Sequence, residues 1–243
     1  MPLLLLILKL LTAVFLGVLG GNALVYAVNR MPASWLRDYD EVDEEGKPLP
    51  LPEDERGEQR VKSHPWKAGF SMLLTVAYLW LFWKTSIFYA LPSAVLIWLL
   101  FELAICDFKY MILPDQLIIA CALVSFGFAG FHDNYLDILW GALLGLGASL
   151  LISFLGRLAF KRPALGWGDI KLFSALGLSF GLKGMLLTMV LTYIINFFIL
   201  IVLLIARKKK LKDSSPFAIA IALASSVYLL FDPVFDLFGF ILY

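Results

Sequence analysis

Six carboxylic acids of this 243-residue chain lie within or at the margins of its apolar stretches, where a charged side chain is expensive. They are Glu102, Asp107, Asp115, Asp169, Asp232 and Asp236. Asp115 follows a proline and precedes an apolar run, so we expect it to cap the N-terminus of a helix. Asp232 and Asp236 lie near the end of the last apolar segment, where we expect the membrane interface. Ordinary structural roles thus account for three of the six.

Asp107 and Asp169 are the two acids that best fit a catalytic role. Asp107 ends one apolar segment, and Asp169 begins another in the sequence ALGWGDIKLFSALG, residues 164–177. Asp169 alone would fit a helix cap. If the two carboxyls meet, they share one proton and can act on a water as base and acid together. Such a pair hydrolyses peptide bonds without a metal or a covalent intermediate, and Gly166 and Gly168 would allow the turn that presents Asp169.

Two further charged residues are candidates for supporting this pair. Lys171 is expected either to position the aspartates or to anchor the helix end at the cytoplasmic side. Glu102 lies five residues before Asp107, about 140° around a helix from it, and is a candidate supporting group.

Other catalytic chemistries lack the residues they need. The chain has two cysteines, Cys106 and Cys121, and two histidines, His64 and His132, which are far apart in sequence. They assemble neither a zinc site nor a nucleophile with its base, so we expect no metal and no disulfide.

The composition predicts the elements that must position these acids. Hydrophobic residues make up 61% of the chain, charged residues 16%, and the mean hydropathy is +0.86. A bilayer core of roughly 30 Å needs about 20 apolar residues per helix, whereas barrel strands would alternate in polarity. We predict an all-α, polytopic membrane protein of about eight transmembrane helices, at residues 3–29, 68–83, 86–106, 116–131, 135–159, 170–181, 184–206 and 216–240.

The basic residues predict the orientation of these segments. With the N-terminus outside, 17 of the 20 lysines and arginines fall in or beside the connections after segments 1, 3, 5 and 7. Lys84 and Lys183 fall outside, and Lys9 lies within segment 1. The positive-inside rule therefore favours an N-out, C-out topology.

The chain divides into two predicted regions. Residues 1–67 hold one helix and the long polar connection, and ten of the 19 acidic residues lie between Asp38 and Glu58. The first segment lacks a basic n-region and is too long for a signal peptide, so we expect a retained helix. Residues 68–243 form the second region. Its small residues at Gly141, Gly145 and Ser149 predict close packing of helices.

The motifs around the two aspartates resemble those of the type IV prepilin peptidases, a bacterial branch of the GxGD membrane aspartyl proteases. CDFKYMILPDQL is similar to the family's first motif, and GWGDIKLFSALG to its second. SPFAIAIALAS resembles the opening of the family's last helix, and GNALVYAVNRMP resembles the N-terminal GSFLNVVIYRLP. The latter retains Gly21, Arg30 and Pro32 in register, with Val25 where an asparagine is usual.

The resemblance implies Asp107 and Asp169 as the catalytic residues of an aspartic endopeptidase of the bacterial inner membrane. Its substrates would be membrane-bound prepilins or pseudopilins of type IV pili or type II secretion, cleaved at the cytoplasmic face. The peptidase reaction needs no cofactor, and we expect no nucleic-acid partner.

The polar loop departs from the family pattern. Many relatives carry two CxxC pairs there, in a zinc-binding part associated with methylation of the new N-terminus by S-adenosylmethionine. This chain has neither pair. S-adenosylmethionine is therefore expected as a cofactor only if the methyltransferase activity is present.

Two alternatives use the same carboxylates. A presenilin-like intramembrane protease shares the Gly-x-Gly-Asp motif, but would carry a Pro-Ala-Leu motif where this chain has Ser215-Pro216-Phe217. A proton-coupled transporter would favour acids near mid-membrane and inverted repeats. We identify neither feature in the sequence.

Overall fold

The computed structural model describes residues 3–36, 61–132, 134–161, 163–205 and 216–235. In these ranges the chain forms seven α-helices and no β-strand, which confirms the all-α prediction there. The helices are α1 (Leu3–Arg30), α2 (Trp66–Lys84), α3 (Ile87–Tyr110), α4 (Asp115–Val124), α5 (Tyr135–Phe160), α6 (Trp167–Ile205) and α7 (Ala218–Phe235). Short 3₁₀ helices, Ala33–Leu36 and Ser125–Phe131, follow α1 and α4.

Helix α6 reverses direction at Gly181. This glycine has φ 65° and ψ −173°, which no α-helix contains and which suits a residue without Cβ. Phe173 and Tyr193 both pack against the ring of Phe217, at centroid distances of 6.1 and 5.7 Å. A straight helix would separate these two residues by about 30 Å. Residues 167–180 and 182–205 are therefore two arms of a hairpin, hereafter α6a and α6b, which agrees with the two apolar segments predicted here.

The predicted contact of small residues between helices is confirmed where α5 meets α6a. A Cβ on Gly141 would collide with the backbone of Gly177, and one on Gly145 with the carbonyl of Phe173. The Ser149 hydroxyl donates to the carbonyl of Gly145 and is itself buried. Without a hydrophobic driving force between helices in lipid, such close backbone approach supplies the van der Waals contact that holds them.

Helices α1 and α2 form a second antiparallel pair. Gly17 packs on the backbone of Thr75 and Gly21 on that of Ser71, so in both cases a side chain would clash. The predicted regions 1–67 and 68–243 thus contact each other closely along this seam. The boundary between them stays a prediction.

The helices alternate between two ends of the bundle, which we call the near end and the far end. At the near end, where α1 and α3 finish, the Cys106 sulfur lies 3.8 Å from that of Met31. At the far end, where α2 finishes, Lys9 Nζ donates to the Thr85 carbonyl at 2.6 Å. The α4 region reaches the far end at Phe131, whose ring packs 5.2 Å from that of Tyr89.

The remaining helices continue this alternation. Asp137 near the start of α5 accepts the Leu182 N–H at the α6 reversal, at the far end. Helix α7 starts near Asp107 at the near end, and at the far end its Leu230 carbonyl accepts from the Trp80 indole. In the described ranges the near-end connections and their flanks carry Arg30, Lys62, Lys67, Lys109, Arg157, Lys161 and Lys171, and the far-end ones Lys84 and Lys183.

Four of the seven helices within the described ranges, α1, α3, α5 and α6, are long and apolar enough to cross a membrane. The chain is accordingly a membrane protein built from helices. Eight crossings and the N-out, C-out orientation stay predictions. The acid-rich loop from Asp38 to Glu58, the basic run from Arg207 to Lys212 and Asp236 lie outside the described residues.

Candidate active site

A cavity of about 560 Å³ opens at the near end, where α3 finishes and where α4 and α6 begin. Both predicted catalytic residues, Asp107 and Asp169, lie on its wall. The two residues are 62 positions apart in sequence, and the fold brings both to this one cavity. Acids from two predicted segments therefore line one cavity that is large enough for a peptide segment and water.

Asp107 lies in the last turn of α3 and is only 7% exposed. Its Oδ2 accepts the backbone N–H of Ala218, the first residue of α7, at 2.8 Å. The first N–H groups of a helix lack intrahelical partners and carry partial positive charge. The start of α7 therefore orients Asp107.

Asp169 lies in the first turn of α6 and is held there by its own helix. The Gly166 carbonyl accepts the Ile170 N–H, and Asp169 Oδ2 accepts the Gly166 N–H at 3.3 Å. This is one half of a capping box, in which the side chain three residues into a helix bonds back to its start. The cap therefore uses one oxygen. Within the described chain, the other oxygen, Oδ1, is buried and has no hydrogen-bond partner.

Of the two glycines before Asp169, only Gly168 has a packing role in the structure, and the turn they were expected to allow stays a prediction. Neither has a positive φ. A Cβ on Gly168 would lie 2.8 Å from Cβ of Leu113, so this glycine lets the α3–α4 connection approach α6. A Cβ on Gly166 would meet Asp169 Oδ2 at 3.5 Å, an ordinary contact. Only Gly168 is therefore required by close packing.

Lys171 and Asp115 form an ion pair with each other at the rim of the cavity. Lys171 Nζ lies 2.9 Å from both carboxylate oxygens of Asp115, and both side chains are more than half exposed. Asp115 is the first residue of α4 rather than its cap: the cap position is Pro114, and no side chain bonds there. The prediction that Asp115 caps α4 was wrong, because Pro114 holds the cap position and the Asp115 carboxylate is paired with Lys171, 56 residues away in sequence.

Glu102 is fully buried but faces away from the cavity. It lies on one stripe of α3 between Trp98, whose indole donates to the Gly20 carbonyl, and Cys106, which contacts Met31. The stripe therefore faces α1. Among the described residues neither carboxyl oxygen has a hydrogen-bond partner. The geometry thus separates Glu102 from the aspartates that it was expected to support.

Several residues of the site were not expected from the sequence. Ser34 and Trp35, in the 3₁₀ helix after α1, line the cavity, as do Gln116 and Trp167. Nothing in their local sequence indicates this position, because three separate segments build the wall. The contact of Ala218 with Asp107 did have a signal in the Pro-Phe sequence before α7.

No group of three or more histidine, cysteine or acidic side chains that could hold a metal ion occurs in the ranges the structure describes. Cys106 and Cys121 are both buried and unbridged. The expectations of no metal and no cofactor stay predictions.

Comparison with known proteins bears directly on this geometry. Residues 94–205 match the model of the type IV leader peptidase family. This part of the chain is similar to that family. The matched region contains both aspartates, whereas Ser34, Trp35 and Ala218 lie outside it. The family match favours the prepilin peptidase hypothesis over the presenilin-like and transporter alternatives.

Individual relatives agree with the family match. The chain is 30% identical over 142 residues to a prepilin leader peptidase/N-methyltransferase of Stutzerimonas stutzeri, covering 56% of this chain and 48% of that one. It is 38% identical over 80 residues to leader peptidase HopD of Salmonella typhimurium, covering 31% and 50%. The chain thus spans about half the length of the curated relatives it matches. No solved structure was found to match it.

Proposed function

We propose that this protein is an aspartic endopeptidase that removes the leader peptide from type IV prepilins or pseudopilins at the cytoplasmic face of a bacterial inner membrane. The observation that carries the proposal is that Asp107 and Asp169 share the wall of one cavity, in a chain whose residues 94–205 match the leader peptidase family. The S. stutzeri relative is named for prepilin cleavage, which supports the substrate class.

The proposed reaction uses one protonated and one ionised carboxyl. The ionised carboxyl removes a proton from a water molecule while the water oxygen attacks the scissile carbonyl carbon. The protonated carboxyl donates its proton to the carbonyl oxygen. The resulting diol collapses as the C–N bond breaks and the amine takes up a proton. Because the pair titrates as a unit, neither residue is assigned alone as base or acid.

The helix N-termini set the geometry for these steps. Asp107 is held by the first N–H of α7 and Asp169 by the N–H of Gly166, each through Oδ2. Fixing both carboxyls before substrate arrives removes the cost of orienting them during the reaction. Trp35 and Trp167 line the same cavity and offer apolar contact for the substrate chain.

The peptidase steps require no cofactor. S-adenosylmethionine would serve only as the methyl donor of a second activity, for which Gly21 and Arg30 were the retained residues. The structure accounts for Gly21 by its packing on Ser71, and places the Arg30 guanidinium over the Tyr26 ring at 5.2 Å. We propose that methyl transfer is weak or absent.

The direct test is to incubate membranes containing this protein with a model prepilin and to identify the new N-terminus by mass spectrometry. We expect one cut at the junction between the basic leader and the apolar helix. An intact prepilin, or cuts within its transmembrane helix, would contradict the proposal. The second result would favour the presenilin-like alternative.

A further inference from the structure

Tyr193, on the returning arm α6b, has a buried hydroxyl that the described chain leaves without a hydrogen-bond partner. A phenol usually finds a partner when it is buried, because an unpaired polar group costs free energy away from water. Tyr193 lies on the arm of α6 that packs against Phe217, just before the start of α7.

Two phenylalanine rings link Tyr193 to the segments that hold both aspartates. Its ring lies 5.7 Å from that of Phe217, the residue before Ala218, whose N–H binds Asp107. Phe217 also packs 6.1 Å from Phe173, one turn after Asp169. The hydroxyl is within electrostatic range of Asp169. The reversal of α6 at Gly181 therefore returns this tyrosine to the start of its own helix.

At the proposed catalytic pair, the atom without a hydrogen-bond partner in the described chain is Oδ1 of Asp169. It is buried, has no hydrogen-bond partner in the described chain, and is the oxygen that the helix cap leaves free. A hydroxyl donor and a carboxylate acceptor that are both buried and both unpaired can satisfy each other directly or through one water. Hydrogen bonds at catalytic groups are often long without substrate and shorten when it binds.

We propose that Tyr193 is a positioning residue whose hydroxyl donates to Oδ1 of Asp169, directly or through one water, when substrate occupies the cavity. The inference rests on the proposed peptidase function. With Oδ2 held by Gly166 and Oδ1 by Tyr193, the carboxyl of Asp169 has a single orientation toward the attacking water. The other ionisable groups on the cavity wall are Asp107 on α3 and the Lys171–Asp115 pair at the rim.

The test compares Tyr193→Phe with Tyr78→Phe in cleavage of a model prepilin. Both changes delete one buried hydroxyl, but Tyr78 donates to the Ala94 carbonyl between α2 and α3. For Tyr193→Phe we expect kcat to fall about tenfold with little change in KM. One limb of its pH profile should move to higher pH, because ionised Asp169 loses a donor. Tyr78→Phe should lower thermal stability and leave the pH profile unchanged.

A wild-type kcat and pH profile in Tyr193→Phe, with active wild-type protein, would overturn this inference alone. A wild type that does not cleave prepilin would instead overturn the proposed function. A thermal double-mutant cycle of Tyr193→Phe with Asp169→Asn, run with a non-cleavable peptide analogue of the prepilin leader junction bound, tests the contact without activity. We expect the two shifts in Tm to be non-additive, and additive shifts would contradict the contact.

Discussion

At the scale of single residues, the site depends on where each carboxylate oxygen is held. The Oδ2 atoms of Asp107 and Asp169 both bind backbone N–H groups at helix starts, whereas Asp115 is tied to Lys171 in an exposed ion pair. Three aspartates near one cavity thus have different surroundings. Asp107 and Asp169, rather than Asp115, are therefore the pair that can share a proton over a common water.

Replacing either Asp107 or Asp169 by asparagine should abolish cleavage, because an amide can neither accept nor give the catalytic proton. We expect Asp107→Asn and Asp169→Asn each to lower kcat by roughly 10²- to 10⁴-fold or more, while the protein still accumulates in the membrane. The measurement is prepilin cleavage per amount of inserted protein.

Asp115→Asn is the matched control, since it makes the same chemical change on the wall of the same cavity. Its exposed ion pair is worth about 1 kcal/mol at most, so we expect activity within a few-fold of wild type. Substantial cleavage by Asp107→Asn or Asp169→Asn would remove the catalytic assignment.

At the scale of elements, the position of Asp169 depends on how closely the α3–α4 connection approaches the start of α6. Leu113 packs against Gly168 at a distance that leaves no room for a side chain. This contact joins the two segments that carry the aspartates. The hairpin of α6 then brings Tyr193 back against Phe217 from behind.

Gly168→Ala should displace the first turn of α6, because its Cβ would lie 2.8 Å from that of Leu113. Overpacking of this kind typically costs 1–3 kcal/mol, and a shift of about 1 Å at a catalytic group can cost 10²-fold in rate. We expect prepilin cleavage by Gly168→Ala to fall at least about tenfold.

Gly166→Ala tests the same motif without the clash, since its Cβ would meet only Asp169 Oδ2 at 3.5 Å. We expect a smaller loss than for Gly168→Ala. The reverse order of the two activities would show that the turn before α6, rather than the contact with Leu113, limits this site.

At the scale of the whole molecule, the alternation of helices places the cavity and most of the described basic residues at the same end. Lys62 and Lys67 flank the start of α2 at that end, and Lys84 is the last residue of α2 at the other. The positive-inside rule then predicts that the cavity opens to the cytoplasm. A leader peptide exposed there would reach the aspartates without crossing the bilayer.

Single cysteines at Lys62 and Lys84 test this orientation. Both are exposed lysines at opposite ends of α2. A membrane-impermeant maleimide should label Lys84→Cys in intact cells, and Lys62→Cys only after permeabilisation. The unmodified chain is the control, because Cys106 and Cys121 are buried. Labelling of Lys62→Cys alone in intact cells would reverse the topology.

Methyl transfer is expected to depend on the loop between α1 and α2, where many relatives carry the part associated with methylation. Asn29 binds both the N–H and the carbonyl of Val61, so the ends of this loop are held together. The loop contains no cysteine to bind a zinc ion that would order it. With labelled S-adenosylmethionine and prepilin, we expect little or no label on the mature N-terminus. Efficient labelling that is lost when residues 38–60 are deleted would contradict this prediction.

Local patterns were enough to predict the helical class, the apolar segments, the packing of Gly141 and Gly145, and the two aspartates as the pair to examine. Each follows from residue type and spacing along one element: apolar length for helices, small residues for close contact, and acids where charge is costly. The pairing of Lys171 with Asp115, the direction of Glu102 toward α1 and the return of Tyr193 toward Asp169 needed the tertiary structure. These depend on contacts between segments far apart in sequence, and on how helices rotate and reverse as they pack. The hydropathy pattern along a single segment of sequence does not contain that information.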